Sequence, residues 1–278
     1  MSSAPKQQVG GDSSVFRGSI IPALRNSYGS KETLDRADSY VSRFIYRRWS
    51  FYLTVPFVWM GWSANQVTIL RAVLALLSAV LVATGFRTLV VFGASLYALC
   101  VLLDYVDGNL ARLYGTAGDF GALLEELADQ VGPALFPLAI GVGLYLRPDR
   151  LLRLMGHVDP VWPLLAGALA SIAYCLGAMT LLYIRVMKAD SKRQGDLATR
   201  SPDSRASMGS GVNTLRWGRT AVIEGVYFAI VFGVVLAAIF DIMSIYLVAR
   251  GLKNFVILFL WMRILVRRLA KLRADAVP

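Results

Sequence analysis

The chain has 278 residues, 56% of them hydrophobic, and a mean hydropathy of +0.55, which is too apolar for an ordinary soluble domain. Several apolar stretches approach or exceed the ~20 residues needed to cross a bilayer, so the sequence predicts an all-α polytopic membrane protein. The net charge of +11 comes largely from Lys and Arg between these stretches. Membrane topology and anionic headgroups explain that distribution, which argues against nucleic-acid binding.

Cysteine and histidine usage argues against two further classes of site. Cys100 and Cys175 both lie inside apolar stretches and indicate neither a disulfide framework nor a zinc site. His157 is the only histidine, which argues against a His-based triad or a multi-histidine metal site within one chain.

The N-terminal region precedes the apolar stretches and divides into two parts. Residues 1–34 are predicted to form a flexible cytosolic arm, since they are polar and lack the apolar core of a secretory signal peptide. Residues 35–62 interleave arginines with aromatic residues, which favours an amphipathic helix at the membrane interface. A packed elbow before the first membrane span is the alternative.

Six transmembrane helices are predicted within a single domain, residues 63–273. Their approximate ranges are 65–86, 89–113, 119–146, 162–186, 220–240 and 249–266. Ser63 or Asn65 can cap the first of them. Arg250 and Lys253 interrupt the sixth, and we expect both side chains to snorkel to the interface opposite the cytosol.

The distribution of Lys and Arg also predicts the orientation. The N-terminal arm, the segment between the fourth and fifth spans and the C-terminal tail are basic, and six spans place all three on one side. That side should be the cytosol, although the opposite loop with Arg147, Arg150 and Arg153 weakens the contrast. We therefore expect a multi-pass protein of the bacterial inner or plasma membrane with both termini in the cytosol.

Four acidic residues lie at helical spacing in the passage DYVDGNLARLYGTAGDFGALLEELAD. Asp104 and Asp107 are three residues apart, and Glu125 and Asp129 are four apart, so each pair shares a helix face. The short turn between them predicts that the second and third spans are antiparallel neighbours. The four carboxylates can then converge near the cytosolic surface. Charged groups inside a membrane protein are energetically costly, so such a cluster is a functional-site hypothesis.

The neighbours of these acids point to a cation and a diphosphate. Carboxylate oxygens suit Mg²⁺, Mn²⁺ or Ca²⁺, and such an ion relieves the repulsion between four acids. Gly108 and Ala111 leave space beside them, and Arg112 offers a planar fork that suits phosphate.

The pattern D-x-x-D-G-x-x-A-R, followed after eight residues by G-x-x-x-E-x-x-x-D, resembles the signature of the CDP-alcohol phosphotransferase (CDP-alcohol phosphatidyltransferase) family. The sequence A-N-Q-V-T at the first span is similar to the family's P-N-x-x-T, with Ala64 in place of proline. The triplet at 183–185 and the pair Arg216 and Arg219 resemble weaker family features.

The resemblance implies a metal-dependent transferase of phospholipid biosynthesis. Such an enzyme moves a substituted phosphate group, most often phosphatidyl from CDP-diacylglycerol, to the hydroxyl of a polar alcohol and releases CMP. A homodimer through the membrane spans is implied as well. Two ions, Mg²⁺ or Mn²⁺, would be held by Asp104, Asp107, Glu125 and Asp129, and Asp129 would also be the general base. The nucleotide site would be lined by Thr68, Asp107, Gly108, Ala111, Arg112 and Gly121.

Basic residues near the fourth and fifth spans are the candidates for the acceptor site: Arg185, Lys188, Arg216 and Arg219. A phosphate-bearing acceptor, such as inositol phosphate or glycerol phosphate, would match this cluster. Positive-inside topology alone explains the same residues, so both interpretations stay open.

Glu125 is the one departure from the acidic signature, where the family normally has Asp. Glutamate keeps the charge but extends the reach of the carboxylate by about 1.5 Å. The chain can therefore be an active enzyme with an adjusted metal site, a subgroup with altered metal or substrate preference, or an inactive, lipid-binding member. An ion- or proton-coupled transporter is the alternative from another class, because buried acids also mark ion pathways.

Overall fold

The computed structural model describes residues 20–26, 47–116, 118–156, 158–198 and 233–275. All regular secondary structure within these residues is helical. The helices are α1 (Ile20–Asn26), α2 (Arg47–Trp59), α3 (Ala64–Ala83), α4 (Arg87–Tyr114), α5 (Asp119–Leu146), α6 (Arg150–Met155), α7 (Val161–Ala198) and α8 (Met243–Asp275). Residues 233–239 form a further helical segment.

Five helices are long and apolar enough to cross a membrane: Ala64–Ala83, Arg87–Tyr114, Phe120–Leu146, Val161–Ile184 and Met243–Ala270. They coincide with the first four and the sixth of the predicted spans, which confirms an all-α multi-pass membrane protein. The fifth predicted span, residues 220–240, falls mostly outside the described residues, and only 233–239 of it is seen as helix. The count of six stays a prediction.

The helix packing places α3 between α4 and α5. It packs extensively against both α4 and α5, whereas α4 and α5 make little contact with each other. The expectation that these two acid-bearing helices are direct neighbours is therefore wrong. α3 packs between the two helices, and one of its cationic side chains, described below, bridges an acid of α4 and an acid of α5.

The ends of α3 and α4 follow from local sequence. Ser63 caps α3 as predicted: its hydroxyl accepts from the Gln66 backbone, and the Gln66 side chain accepts from the Ser63 N–H at 2.8 Å. Gly115 ends α4 in the left-handed conformation with a φ of 62°, which glycine adopts without a steric penalty. The short connection at 115–118 then leads into α5.

The two N-terminal helices pack beside the acid-bearing half of α4. One face of α2 carries Phe51 and Val58 into a cluster with Leu24 of α1 and with Leu103 and Val106 of α4. Within the predicted arm 1–34, α1 is the part that the structure describes. Residues 35–46 lie outside the described residues, and the location of α2 at the membrane interface stays a prediction.

Arg250 on α8 does not snorkel to an interface as predicted. It is only 1% exposed, and its Nη2 donates a hydrogen bond to the Tyr97 hydroxyl of α4 at 3.2 Å. Because the bundle interior offers this polar partner, the guanidinium has no need to reach the membrane surface. Lys253, one turn further along α8, is partly buried.

Candidate metal and nucleotide site

Three of the four predicted acids converge. Asp104 and Asp107 reach from α4 and Glu125 reaches from α5, and one carboxylate oxygen of each lies within 4.8 Å of the others. The longer side chain of Glu125 therefore brings its carboxylate to the acids of α4. Such a group can hold a metal ion, because three oxygen ligands meet in one small volume.

Asp129 joins the cluster through an arginine. Its Oδ1 lies 2.8 Å from Nη1 of Arg71 on α3, and the same guanidinium contacts Asp104 and lies 3.8 Å from Asp107 Oδ2. Arg71 is 5% exposed. It therefore links three of the four acids from the buried side and supplies part of their counter-charge.

Arg71 is the residue of the site that the sequence analysis missed. The sequence carries a signal for it: Arg71 is the one charged residue in an apolar stretch long enough to cross a membrane. A charge at such a position needs a partner inside the bundle. Its partners lie more than thirty positions away in sequence, so spacing alone could not name them.

Asp107 is the most buried acid of the group, at 3% exposure. The Thr68 hydroxyl donates a hydrogen bond to its Oδ2 at 2.9 Å. Its other oxygen, Oδ1, is buried without a hydrogen-bond partner among the described residues. A buried carboxylate oxygen without a donor fits a site that takes a hard cation such as Mg²⁺ or Mn²⁺.

The spacing between Gly108 and Arg112 has a direct physical reason. The Arg112 side chain folds back over the preceding turn of α4, so a Cβ atom added at Gly108 would lie 3.1 Å from its Nη2. Arg112 Nη2 also donates to Asn109 Oδ1 at 3.2 Å. Ala111 is partly buried on the same turn. The small residue at 108 thus leaves room for the guanidinium of Arg112.

Gly121 occupies the first turn of α5 close to the start of α3. A Cβ atom at this position would lie 3.3 Å from Asn65 Oδ1, which is a tight contact. The absence of a side chain lets the two helix ends approach beside the acidic cluster.

A small cavity opens next to these residues between α3, α4 and α5. Its polar end is formed by Arg71, Asp104 and Asp129, and it continues past Tyr97 and Gly132. Asp129 therefore faces space that a reacting group can enter.

The side chains of the predicted acceptor residues lie outside the described part of the structure. Arg185 and Lys188 lie on α7, but the structure does not describe their side chains. Arg216 and Arg219 fall outside the described residues. The acceptor site stays a prediction.

Comparison with known proteins places the site in a family. No curated protein matches the chain at a significant level. The sequence profile described as CDP-alcohol phosphatidyltransferase matches residues 62–266, which is well over half of the chain and includes α3, α4 and α5. The match confirms the resemblance seen in the acidic signature. The chain belongs to the CDP-alcohol phosphatidyltransferase family.

Proposed function

We propose that the protein transfers a phosphatidyl group from CDP-diacylglycerol to the hydroxyl of a polar alcohol, with release of CMP and dependence on Mg²⁺ or Mn²⁺. Membership of the family supports a transferase that uses a CDP-alcohol. One observation carries the finer proposal: the Asp104, Asp107 and Glu125 carboxylates converge, and the guanidinium of Arg112 folds back over Gly108, the residue that follows Asp107. A metal and a diphosphate can share that site.

The acids would hold the metal, and the small residues would admit the nucleotide. Asp104, Asp107 and Glu125 would bind one divalent ion, and Asp129 would complete the site for a second. Bound ions supply charge stabilisation for the entering and leaving oxygens of phosphoryl transfer. Arg112 would contact the diphosphate with its planar fork. The remaining residues of the proposed nucleotide site are Thr68, Gly108, Ala111 and Gly121.

Asp129 is the general base in this proposal. Its half-exposed carboxylate lines the cavity, where it takes the proton from the acceptor hydroxyl. The acceptor oxygen then forms a bond to the phosphorus of the phosphatidyl group, and the bond from that phosphorus to the oxygen of CMP breaks. Arg71 holds the carboxylate in place from the buried side.

The geometry of Glu125 supports an active enzyme over a degenerate, lipid-binding member. An inactive site would have no reason to keep the longer carboxylate within reach of Asp104 and Asp107, yet the structure places all three together. An altered metal or substrate preference remains compatible with this geometry, because glutamate changes the reach of one ligand.

The acceptor, orientation and assembly belong to the same proposal. We propose that a polar alcohol, including phosphorylated ones such as inositol phosphate or glycerol phosphate, meets Arg185, Lys188, Arg216 and Arg219. The site would face the cytosol with both termini, in a bacterial inner or plasma membrane, and the protein would act as a homodimer. Positive-inside topology and the family resemblance support these statements.

An acceptor screen tests the function. Full-length protein in lipid nanodiscs is incubated with CDP-diacylglycerol, Mg²⁺ or Mn²⁺ and a panel of alcohols with and without a phosphate group, and CMP is measured. We expect CMP release with one class of acceptor. Absence of CMP with every acceptor, alongside ion uptake by proteoliposomes, would favour a transporter instead.

A further inference from the structure

Asn109 lies inside the acidic signature, between Gly108 and Arg112, at a position that the signature leaves open. It is fully buried, with 0% exposure, although asparagine is normally a surface residue. Its side chain crosses from α4 to α2, where Nδ2 donates hydrogen bonds to Ser50 Oγ at 3.1 Å and to Thr54 Oγ1 at 3.0 Å. Ser50 and Thr54 are also fully buried.

The directions of these hydrogen bonds fix the Asn109 amide. The Thr54 hydroxyl donates to the Ser50 carbonyl oxygen at 2.7 Å, so its lone pairs face the amide nitrogen. The amide oxygen is then turned towards Arg112, whose Nη2 donates to it at 3.2 Å. A flipped amide would set its NH₂ group against a guanidinium, which is also a donor, so only one orientation satisfies both ends.

Ser50 and Thr54, at the α2 end of this hydrogen-bond network, lie outside the residues that match the family profile. The match begins at residue 62, whereas α2 ends at Trp59. The apolar cluster that contains Leu24 and Phe51 presses α1 and α2 against α4 in the same region. The N-terminal helices therefore supply polar contacts as well as packing to the segment that carries Arg112.

We infer that Ser50 and Thr54 are positioning residues for the nucleotide site, acting through Asn109 on the guanidinium of Arg112. The inference rests on the proposed function, in which Arg112 contacts the diphosphate. A long arginine side chain loses conformational freedom when it binds phosphate, and a side chain already held by Asn109 over Gly108 loses less. The buried hydroxyls of α2 thus raise affinity for the donor without touching it.

The test measures CDP binding by calorimetry, with Mg²⁺ present, on full-length protein in nanodiscs. The double variant Ser50→Ala, Thr54→Val should bind CDP about tenfold more weakly, the loss expected when one contact to a charged group is no longer held. Its affinity for Mn²⁺, measured by electron paramagnetic resonance, should stay within about twofold of wild type because no carboxylate has changed. In an Arg112→Ala background the same two substitutions should have no further effect on CDP.

Two controls isolate the α2 hydroxyls. Thr180→Val removes a hydroxyl that bonds the carbonyl four residues earlier, as in Thr54, but lies on α7, and it should leave CDP affinity unchanged. Thr54→Ser keeps the acceptor oxygen and should bind CDP as wild type does. If the double variant unfolds early, adding Asn109→Leu replaces the whole buried group by apolar atoms, and CDP affinity should still be lowered.

Four results would overturn the inference or its basis. Wild-type CDP affinity in the double variant, or an equal loss in the Arg112→Ala background, would overturn the positioning role alone. A loss of Mn²⁺ affinity as large as that of CDP affinity would show general damage and would also overturn it. Absence of CDP binding by the wild type would refute the proposed function, and the positioning role would fall with it.

Discussion

Nη1 of Arg71 lies 2.8 Å from Oδ1 of Asp129, and the same nitrogen contacts Asp104. One buried guanidinium on α3 therefore joins an acid of α4 to an acid of α5. Removing a charge from a buried ion pair is strongly destabilising, because the partner is left without compensation. The geometry makes Arg71 the permanent cation of the cluster, to which divalent ions would add.

Replacement of Arg71 by methionine should destabilise the metal-free protein. We expect a loss of about 2 kcal/mol, below the ~3–5 kcal/mol of a fully buried pair because Asp104 and Asp129 are partly exposed. Added Mg²⁺ should recover more stability in Arg71→Met than in wild type. The measurement is thermal unfolding in nanodiscs with EDTA or with Mg²⁺.

Arg153→Met is the matched control for that substitution. It breaks the pair between Arg153 and Asp241, where Nη2 lies 2.6 Å from Oδ2 and the arginine is 61% exposed. Exposed pairs contribute about 0–1 kcal/mol, so its effect should be small and independent of Mg²⁺. Equal unfolding temperatures for the two variants would contradict the role given to Arg71.

Substitution of Glu125 should weaken metal binding. Glu125→Gln removes one anionic ligand, and we expect Mn²⁺ affinity to fall at least about tenfold by electron paramagnetic resonance. Glu126→Gln, a neighbour outside the converging group, should remain within about twofold. Similar losses in both variants would indicate a general charge effect and would refute the specific ligand role.

Glu125→Asp restores the usual family residue but should not improve this protein. The other ligands lie where the longer side chain reaches them, and aspartate falls about 1.5 Å short. Functional sites tolerate only ~0.5 Å of misplacement, so Mn²⁺ affinity should drop several-fold. Higher affinity in Glu125→Asp would show that the site is not adjusted to glutamate.

Substitution of Gly108 should affect the donor more than the fold. An alanine Cβ would lie 3.1 Å from Nη2 of Arg112, so the end of this long side chain must shift and its hydrogen bond to Asn109 is weakened. We expect about a tenfold higher KM for the CDP-alcohol in Gly108→Ala, with a loss of stability of only about 1 kcal/mol because one hydrogen bond is affected. Gly118→Ala, whose Cβ would meet nothing within 4 Å, serves as the control. An unchanged KM in Gly108→Ala would contradict the proposed contact of Arg112 with the CDP-alcohol.

A glycine at the crossing of α5 and α7 should be needed for stability. A Cβ at Gly167 would lie 2.6 Å from the Pro137 carbonyl oxygen, and backbone cannot move aside easily. Gly167→Ala should therefore lose about 1–3 kcal/mol in thermal unfolding. Gly177→Ala on the same helix, with its nearest atom at 3.9 Å, should lose much less. Equal losses of stability in the two variants would show that the close backbone contact at Gly167 does not restrict the size of this residue.

The sequence predicted features that depend on local pattern. The predicted third span, 119–146, matches α5, Asp119–Leu146, because apolar length and the acidic start mark both ends. Ser63 was a predicted cap because capping depends on residues only three apart. The convergence of Glu125 with Asp104 and Asp107 agrees with their helical spacing, although α3 packs between α4 and α5.

Features that depend on long-range packing were missed. Arg71 and Asn109 bond to partners more than thirty residues away in sequence, and α5 packs against α3 although α4 stands between them in the chain. Arg250 lies in the interior rather than at the predicted interface because its partner, Tyr97, is 153 positions away in sequence and inside the bundle. The spacing of apolar residues indicates which face of a helix is buried, but it does not indicate which other helix packs against that face.

CMP release from CDP-diacylglycerol, measured with wild type and Asp129→Asn in Mg²⁺ or EDTA, tests the central claim most directly. The proposed mechanism predicts CMP only from the wild type with Mg²⁺, and a loss of about a hundredfold or more in Asp129→Asn, since general-base catalysis contributes about 10²–10⁴-fold. CMP release that persists in EDTA, or that is undiminished in Asp129→Asn, would contradict it.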